Sequence, residues 1–493
     1  MGRTGFVERH GLWSGDDADI AARVVRDIAD AGLEVVRLSW PDQHGILRGK
    51  TVMASEAEQA MRNGCAITTT LLAKDTSHAT VFPVFSPGGG FGIPEMENAG
   101  DFVGVPVPSS FRVLPWAPKT GWMLCDAYLS DGTPVPFSTR AILKKTLDEV
   151  AAEGFDYVAG IEVECHIYKL EDARLDPSDA GQPGAPPEVS LLAHGFHYLT
   201  EQRFDQLDPV FEFLRRDLLA LGLPLRTLES EFGPSQFEFT LAPAGGLQAA
   251  DNMMLFRSAV KQICRRHGYH ATFMCRPGLP NAFASGWHLH QSLAESASGT
   301  NLFMPADGDA PLSETGQAFL AGLLEHALAG TVFTTPTVNG YRRFQPNSLA
   351  PDRVSWGVDH RGSLMRVIGG AGDPATRIEN RAGEPAANPY LFIAAQIAAG
   401  LDGIERKPAL GPSDDEPYQA DRPLLPADLA TALAALGDSR FYRETFGDVF
   451  VDYYRALKQA ELDRYAQYCE DERIDPAIGD VTGWEQNEYY DFF

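Results

Sequence analysis

Paired cysteines are missing from this chain. Its 493 residues hold six cysteines, Cys65, Cys125, Cys165, Cys264, Cys275 and Cys469. None forms a C-x-x-C pair, which argues against a zinc ribbon or a thioredoxin-type redox motif and favours buried thiols in a reducing compartment. No G-x-x-x-x-G-K-[ST] run occurs, so any nucleotide is held without a P-loop. No G-x-S-x-G elbow occurs, which removes the serine-hydrolase reading. The glycines at 88–92 lack a following helical pattern, so a dinucleotide fingerprint is unsupported. Long apolar runs are also lacking: the most apolar stretch, Tyr390 to Leu401, carries Gln396 and is too short to span a bilayer. The first residues show no apolar leader segment and no N-x-Ser/Thr acceptor exists, so the expectation is a cytoplasmic protein. Positive charge is scarce: 41 basic residues against 67 acidic ones give a net charge of −26. Such a surface repels nucleic acid and anionic membranes and disfavours both as partners.

What the chain does have is acid placed on strands. Glu162 and Glu164 stand two apart in GIEVECHIYKL, and Glu231 and Glu238 lie within ESEFGPSQFEF. His288 and His290 stand two apart in SGWHLHQSL, and Glu379 lies between Arg377 and Arg381 in RIENR. Each run alternates polar with apolar residues. A strand sends alternate side chains to opposite faces, so each strand presents its charged groups on one side. Any one of these pairs is commonly a solvated edge or a salt-bridge ladder. Four of them in phase point to a shared site in which carboxylates need a cation. Oxygen donors with imidazole suit magnesium or manganese rather than zinc.

A second constellation is cationic. Arg343, Arg361, Arg366, Arg377 and Arg381 fall within forty residues of an otherwise acidic chain. Guanidinium forks beside a carboxylate–metal cluster are what phosphoryl transfer requires, because charge spreads over the transferred phosphoryl oxygens. For any single arginine, a surface ion pair is the commoner role.

The texture changes near residue 136. Residues 1–15 read as a loose polar arm, 16–32 as an amphipathic helix, and 33–39 with 46–53 as a hairpin. Residues 66–120 are rich in Gly, Pro and Ser, which predicts short strands and loops. Beyond them the spacing predicts a helix capped by Ser138, a strand over 157–168 and a loop over 171–190. A helix follows from Asp208-Pro209 to Gly222, and others cover 249–268, 389–401, 426–436 and 447–469. The fold class is α+β, with a mixed, mostly antiparallel sheet backed by helices. The division is expected at 16–130 and 131–493.

These residues, in this order, resemble the glutamine synthetase family over nearly the whole chain. The resemblance rests on the E-x-E strand, ESEFGPSQFE, SGWHLHQSL, NGYRRFQPNSLAP, HRGSLMR and RIENR followed by ANPYL. It implies a small N-terminal β-grasp domain and a large catalytic domain. It also implies double-ring homo-oligomers, commonly dodecamers, with active sites between subunits. The implied substrates are ATP, L-glutamate and an amine, joined through γ-glutamyl phosphate, with two or three Mg2+ or Mn2+ ions per subunit. By the same resemblance, Glu164, Glu231 and Glu238 hold one ion, and Glu162, His288 and Glu379 another. Arg361, Arg366 and Arg377 contact nucleotide phosphate, with His290 and Ser292 at the nucleotide site. Arg343 and Arg381 hold glutamate and its phosphate, and Asp42 reaches a neighbouring subunit's amine pocket.

Two departures bear on the amine. The family carries a glutamate in the flap segment where this chain has Leu349, and its N-G-S-G-M-H is replaced by FASGWH, with Phe283 and Trp287. Ammonium arrives charged and must lose a proton, so losing a flap carboxylate removes one attraction and one base. An aromatic amine is already neutral at pH 7 and wants an apolar wall. The expectation is a γ-glutamyl ligase for a bulky, aniline-like amine, with Asp42, Phe283, Trp287 and Leu349 lining the amine pocket. Glutamine synthetase proper, ligases for alkylamines, ethanolamine or polyamines, and a non-catalytic structural relative remain alternatives.

Overall fold

The computed structural model describes residues 4–172, 176–308, 310–475 and 480–493. The chain divides into two compact units, Met1–Ala141 with Arg216–Leu223, and Ile142–Arg215 with Pro224–Phe493.

The first unit is built on a sheet of six strands: β1 (Val35–Pro41), β2 (Leu47–Met53), β3 (Cys65–Thr68), β4 (Asp101–Pro106), β5 (Arg112–Val113) and β6 (Thr120–Tyr128). Their order is β2-β1-β6-β4-β3, with β5 on β6. β1 pairs β6 in parallel, and the other pairs are antiparallel. The turn between β1 and β2 is organised by Asp42. Its Oδ1 accepts the backbone N–H groups of His44 and Ile46, both at 2.9 Å, and its Oδ2 accepts from Arg48 Nε at 2.7 Å. Ser14 and Asp17 form a reciprocal capping box that starts the helix Gly15–Asp30. The polar arm is corrected in one respect: Phe6–His10 is a short helix. Phe6 and Val7 are buried with Val105, so two apolar side chains anchor the start of the chain.

The second unit carries nine strands: β7 (Phe155–Leu170), β8 (Val189–Ser190), β9 (Leu225–Ser230), β10 (Gln236–Gly245), β11 (Tyr269–Thr272), β12 (Trp287–Glu295), β13 (Trp356–Val358), β14 (Met365–Ile368) and β15 (Arg377–Asn380). The order is β13-β14-β15-β12-β7-β10-β9, with β8 and β11 also pairing β7. Only β13–β14 is parallel among the described strand pairs of this sheet. Helix Gly246–Arg266 packs on β7, β10 and β11, and against helix Pro389–Arg406. The latter is started by Asn388, whose side chain accepts the N–H groups of Tyr390 and Leu391, and its first twelve residues are buried. Mixed sheets backed by helices match the expected class.

One helix boundary is corrected. The helix expected to start at Asp208-Pro209 runs Glu201–Ala220, with Pro209 inside it. Proline costs a helix one N–H···O bond. Burial of Leu207, Val210, Phe211 and Leu214 offsets that loss. Helices Glu314–Glu325 and Ala327–Thr334 were not anticipated, because small residues blur their apolar stripe. Those small residues permit close packing: a Cβ on Gly322 would lie 2.1 Å from the Ala399 carbonyl oxygen. Among the described residues, no helix is long and apolar enough to cross a membrane.

Candidate active site

Strand phase sets the site. Along β7, Val158, Gly160, Glu162 and Glu164 face a cavity, while Tyr157, Ala159, Val163 and Cys165 are buried behind it. Antiparallel register then lines up charged side chains from neighbouring strands. Glu162 lies opposite His288, and His290 opposite Glu379, which in turn lies opposite Arg366. Glu164 lies opposite Glu238, and Glu238 opposite Glu229. Directly paired residues on one face have Cβ atoms about 5 Å apart, so register alone gathers these groups. Gly160 lies opposite His290, and a Cβ there would sit 3.3 Å from the histidine Cβ. The glycine makes room for the imidazole.

Two groups of acids result. In the first, His288 Nδ1 is 2.6 Å and His290 Nε2 3.0 Å from the two Glu162 oxygens. Arg343 Nη2 donates to His288 Nε2 at 3.2 Å, and Arg377 Nε donates to His290 Nδ1 at 3.1 Å. Each imidazole meets an arginine donor on one nitrogen and turns the other toward Glu162. Burial and the nearby Arg381 push His288 down to about 4. Glu379 is fully buried, pairs with Arg366 at 3.1 Å and with Arg381, and lies 3.5 Å from His288 Nδ1. Burial alone would raise the pKa of Glu162 and Glu379. The two histidines outweigh it at Glu162, and His288 with Arg381 outweighs it at Glu379, so both carboxylates stay low. Glu162, His290 and Glu379 offer donor atoms that all lie within 4.8 Å of one another. His290 thus joins the convergent set, while His288, expected there, has its second nitrogen engaged by Arg343.

The second group is Glu164, Glu231 and Glu238. Gln236 Nε2 and the Gly286 N–H both donate to Glu164 Oε2 at 3.0 Å, and the Phe232 N–H donates to Glu231 at 2.8 Å. Burial and the neighbouring Glu231 push Glu164 up to about 8, with Arg343 pulling against them. Burial, Glu162 and Glu164 push Glu238 up to about 10, and burial likewise raises Glu231. Glu164 and Glu238 are cross-strand neighbours and Glu231 acts electrostatically on both, but among the described residues only Glu162, His290 and Glu379 bring donor atoms within 4.8 Å of one another. A divalent cation would draw the second trio together and let its carboxylates ionise.

That fit has a measurable consequence. The raised carboxyls keep protons in the folded protein that the unfolded chain releases near pH 4.5. Without metal, stability therefore falls as pH rises from about 4.5 through about 8 and 10. A bound cation displaces those protons, so its stabilising effect grows with pH. The gain in thermal midpoint on adding Mg2+ should be larger at about pH 8 than at about pH 6. A gain independent of pH would refute this assignment.

The cavity measures about 1390 Å³ and is lined by Glu162, Glu164, Glu231, Glu238, His288, His290, Ser292, Arg343, Leu349, Arg361, Arg366, Arg377 and Arg381, among others. Small-ligand pockets run to roughly 1,000 Å³, so there is room for more than one substrate. Arg343 is buried and donates to the Arg381 carbonyl at 2.8 Å, and Arg381 donates to the carbonyls of Arg361 at 2.9 Å and Leu349 at 3.2 Å. Arg381 thereby ties the 343–350 segment to the strands. Leu349 is 64% exposed. Of the other residues expected around the amine, Phe283 lines the cavity and Asp42 belongs to the first unit. Trp287 is corrected: it is fully buried, packs edge-on against Phe392 at 4.9 Å, and does not line the cavity. It precedes His288 by one residue, so alternation turns it to the opposite face.

Sequence reasoning passed over Glu229, Tyr198 and Phe232, which also line the cavity. Glu229 could have been found, since it makes a second E-x-E with Glu231. Burial and Glu231 push the Tyr198 hydroxyl up to about 12, while Arg361 pulls against them.

Residues 136–475 match the family described as glutamine synthetase, catalytic domain. The chain is 46% identical to a gamma-glutamylanilide synthase from an Acinetobacter species, over 98% of each chain. It is 32% identical to a glutamine synthetase of Methanosarcina mazei, covering 90% of this chain and 94% of the relative. It is 31% identical to a glutamate–isopropylamine ligase from a Pseudomonas species, covering 95% and 97%. Among solved structures, an ADP complex of GmaS superposes with a TM-score of 0.75 at 27% identity, covering 94% of this chain and 98% of that one.

Proposed function

Since the chain belongs to the glutamine synthetase family, whose members are ATP-dependent carbon–nitrogen ligases using divalent metal, we propose that it joins the γ-carboxylate of L-glutamate to an aniline-like amine. The observation that carries this reading is the pairing of a strand-borne carboxylate, histidine and arginine constellation with a cavity that also presents Leu349 and Phe283. The 46% identity to a gamma-glutamylanilide synthase supports the same amine class.

In this reading a γ-carboxylate oxygen of glutamate attacks the terminal phosphorus of ATP, and ADP leaves. The amine nitrogen then attacks the acyl carbon, phosphate leaves, and the nitrogen gives up a proton. Glu164, Glu231 and Glu238 would hold one Mg2+ or Mn2+ ion. Glu162 and Glu379, with His288 and His290 on either side of Glu162, would hold another. When bound, such ions offset charge on the transferred phosphoryl group and align it. Arg361, Arg366 and Arg377, with His290 and Ser292, receive the nucleotide. Arg343 and Arg381 orient the glutamate carboxylates and the acyl phosphate by forked hydrogen bonds.

Asp42 is proposed to act across a subunit interface in a double-ring homo-oligomer, a dodecamer, in the cytoplasm. Its carboxylate would have to share its hold on Arg48 with that role. The proposed division assigns residues 16–130 to a β-grasp domain and 131–493 to the catalytic domain.

The test is an amine panel scored by ATP- and glutamate-dependent phosphate release. Aniline should exceed ammonium in kcat/KM by about tenfold or more, equivalent to about 1.4 kcal/mol of discrimination. Equal or better use of ammonium would favour glutamine synthetase proper. Preference for an alkylamine, ethanolamine or a polyamine would move the acceptor to that class. No phosphate release with any amine would refute catalysis.

A further inference from the structure

Three phenylalanines from distant parts of the chain meet at one end of the cavity. Phe196 lies between β8 and helix Glu201–Ala220, Phe232 follows β9, and Phe283 precedes β12. Phe196 and Phe232 stack with ring centroids 5.2 Å apart and planes 19° apart. Phe283 meets both edge-on, at 5.3 Å from Phe196 and 4.8 Å from Phe232. Despite these contacts the rings remain 43%, 42% and 43% exposed. A cluster packed for stability alone would bury its rings, because phenylalanine gains most from full burial.

Backbone fixtures hold the cluster in place. Gln236 is buried and is the central tie: its Oε1 accepts the Gly233 N–H at 3.0 Å, and its Nε2 donates to Ser285 Oγ at 3.0 Å and to Glu164 at 3.0 Å. It therefore fixes the turn bearing Phe232 against the segment bearing Phe283. The segment bearing Phe196 is tied by the Leu192 N–H to Ser235 Oγ at 2.7 Å and by the Leu199 N–H to the Ser230 carbonyl at 3.4 Å. The rings stand at the Glu164–Glu231 end of the cavity. Phe232 adjoins Glu231, and Phe283 lies three residues before Gly286, whose N–H holds Glu164.

We infer that Phe232 and Phe283, braced by Phe196, form an acceptor shelf that selects planar aromatic amines over saturated amines of equal carbon number. The inference rests on the γ-glutamyl ligase reading and adds the residues that set its amine specificity. A flat neutral ring gains offset or edge-to-face contact with both phenylalanines. A puckered alkylammonium of the same size must shed its hydration and cannot lie flat against their exposed faces and edges.

The experiment compares aniline with cyclohexylamine at saturating ATP and glutamate, in the wild type and in Phe232→Leu, Phe283→Leu and Phe283→Tyr. Leucine keeps apolar bulk and removes the ring; tyrosine keeps the ring. The wild type should favour aniline in kcat/KM. Each leucine variant should lower the aniline-to-cyclohexylamine ratio by roughly threefold to tenfold, mainly through the KM for aniline, and Phe283→Tyr should retain it. Equal losses for both amines, or an unchanged ratio, would overturn the shelf while leaving the ligase reading intact. A wild type that releases no phosphate with aniline would overturn both. A wild type that prefers cyclohexylamine would overturn the shelf in favour of cation–π capture of alkylammonium ions.

Discussion

Glu379→Ala is expected to lose ATP-dependent phosphate release by on the order of a thousandfold or more, because the metal it would help hold supplies several kcal/mol of transition-state stabilisation. The same change should lower stability. Glu379 is fully buried and pairs with Arg366 and Arg381, with His288 Nδ1 3.5 Å away. Removing it leaves guanidinium groups facing one another across a dry site, and breaking such a buried pair costs about 3–5 kcal/mol. Glu379→Gln keeps the shape and two acceptor lone pairs. It should recover much of the stability while activity stays low. Phosphate release and thermal unfolding on both variants separate the two roles. An alanine variant with wild-type turnover would remove Glu379 from the phosphoryl-transfer machinery.

Leu349→Glu should raise the kcat/KM ratio of ammonium over aniline by on the order of a hundredfold, the scale of one general acid–base group. The new carboxylate would attract the cation, accept its proton and spoil the apolar wall. The backbone already suits the exchange. Asn347 and Leu349 both hold left-handed conformations, with φ of 62° and 61°, so either side chain at 349 bears the same strain. The side chain is mostly solvent-exposed, so stability should change by no more than about 0.5 kcal/mol. An amine profile unchanged in Leu349→Glu would mean that the flap does not read the amine.

The acid–imidazole–arginine set was legible in the sequence because strand alternation is a local rule. Two-residue spacing in GIEVECHIYKL and SGWHLHQSL puts Glu162 in phase with Glu164, and His288 in phase with His290, independently of any tertiary contact. Register was not local. That Glu379 opposes His290 and Arg366, and that Glu229 extends the row of Glu164 and Glu238, depends on how distant strands align. Trp287 fell to the same alternation rule: one residue from His288, it could only face the core. The aromatic end of the cavity was half legible. Phe283 stood out against the family pattern, whereas Phe196 and Phe232 come from segments whose meeting is set by the long-range hydrogen bonds Leu192 N–H to Ser235 Oγ and Leu199 N–H to the Ser230 carbonyl. The helix through Pro209 escaped because a local start signal yielded to tertiary burial.

The two ends of the cavity are made of different material. Glu162, Glu164, Glu238, His288, His290, Arg366, Arg377, Glu379 and the adjoining Arg381 stand on or beside laddered strands, with Glu231, Arg343 and Arg361 on the connections next to them, while Phe196, Phe232, Phe283 and Leu349 all stand on connecting segments. Connections accept replacement far more readily than paired backbone does. Acceptor scope is therefore separable from energy coupling: transplanting the 191–199, 232–235, 281–285 and 344–350 connections between homologues, with Glu231 kept, should exchange amine choice and leave nucleotide handling with the host.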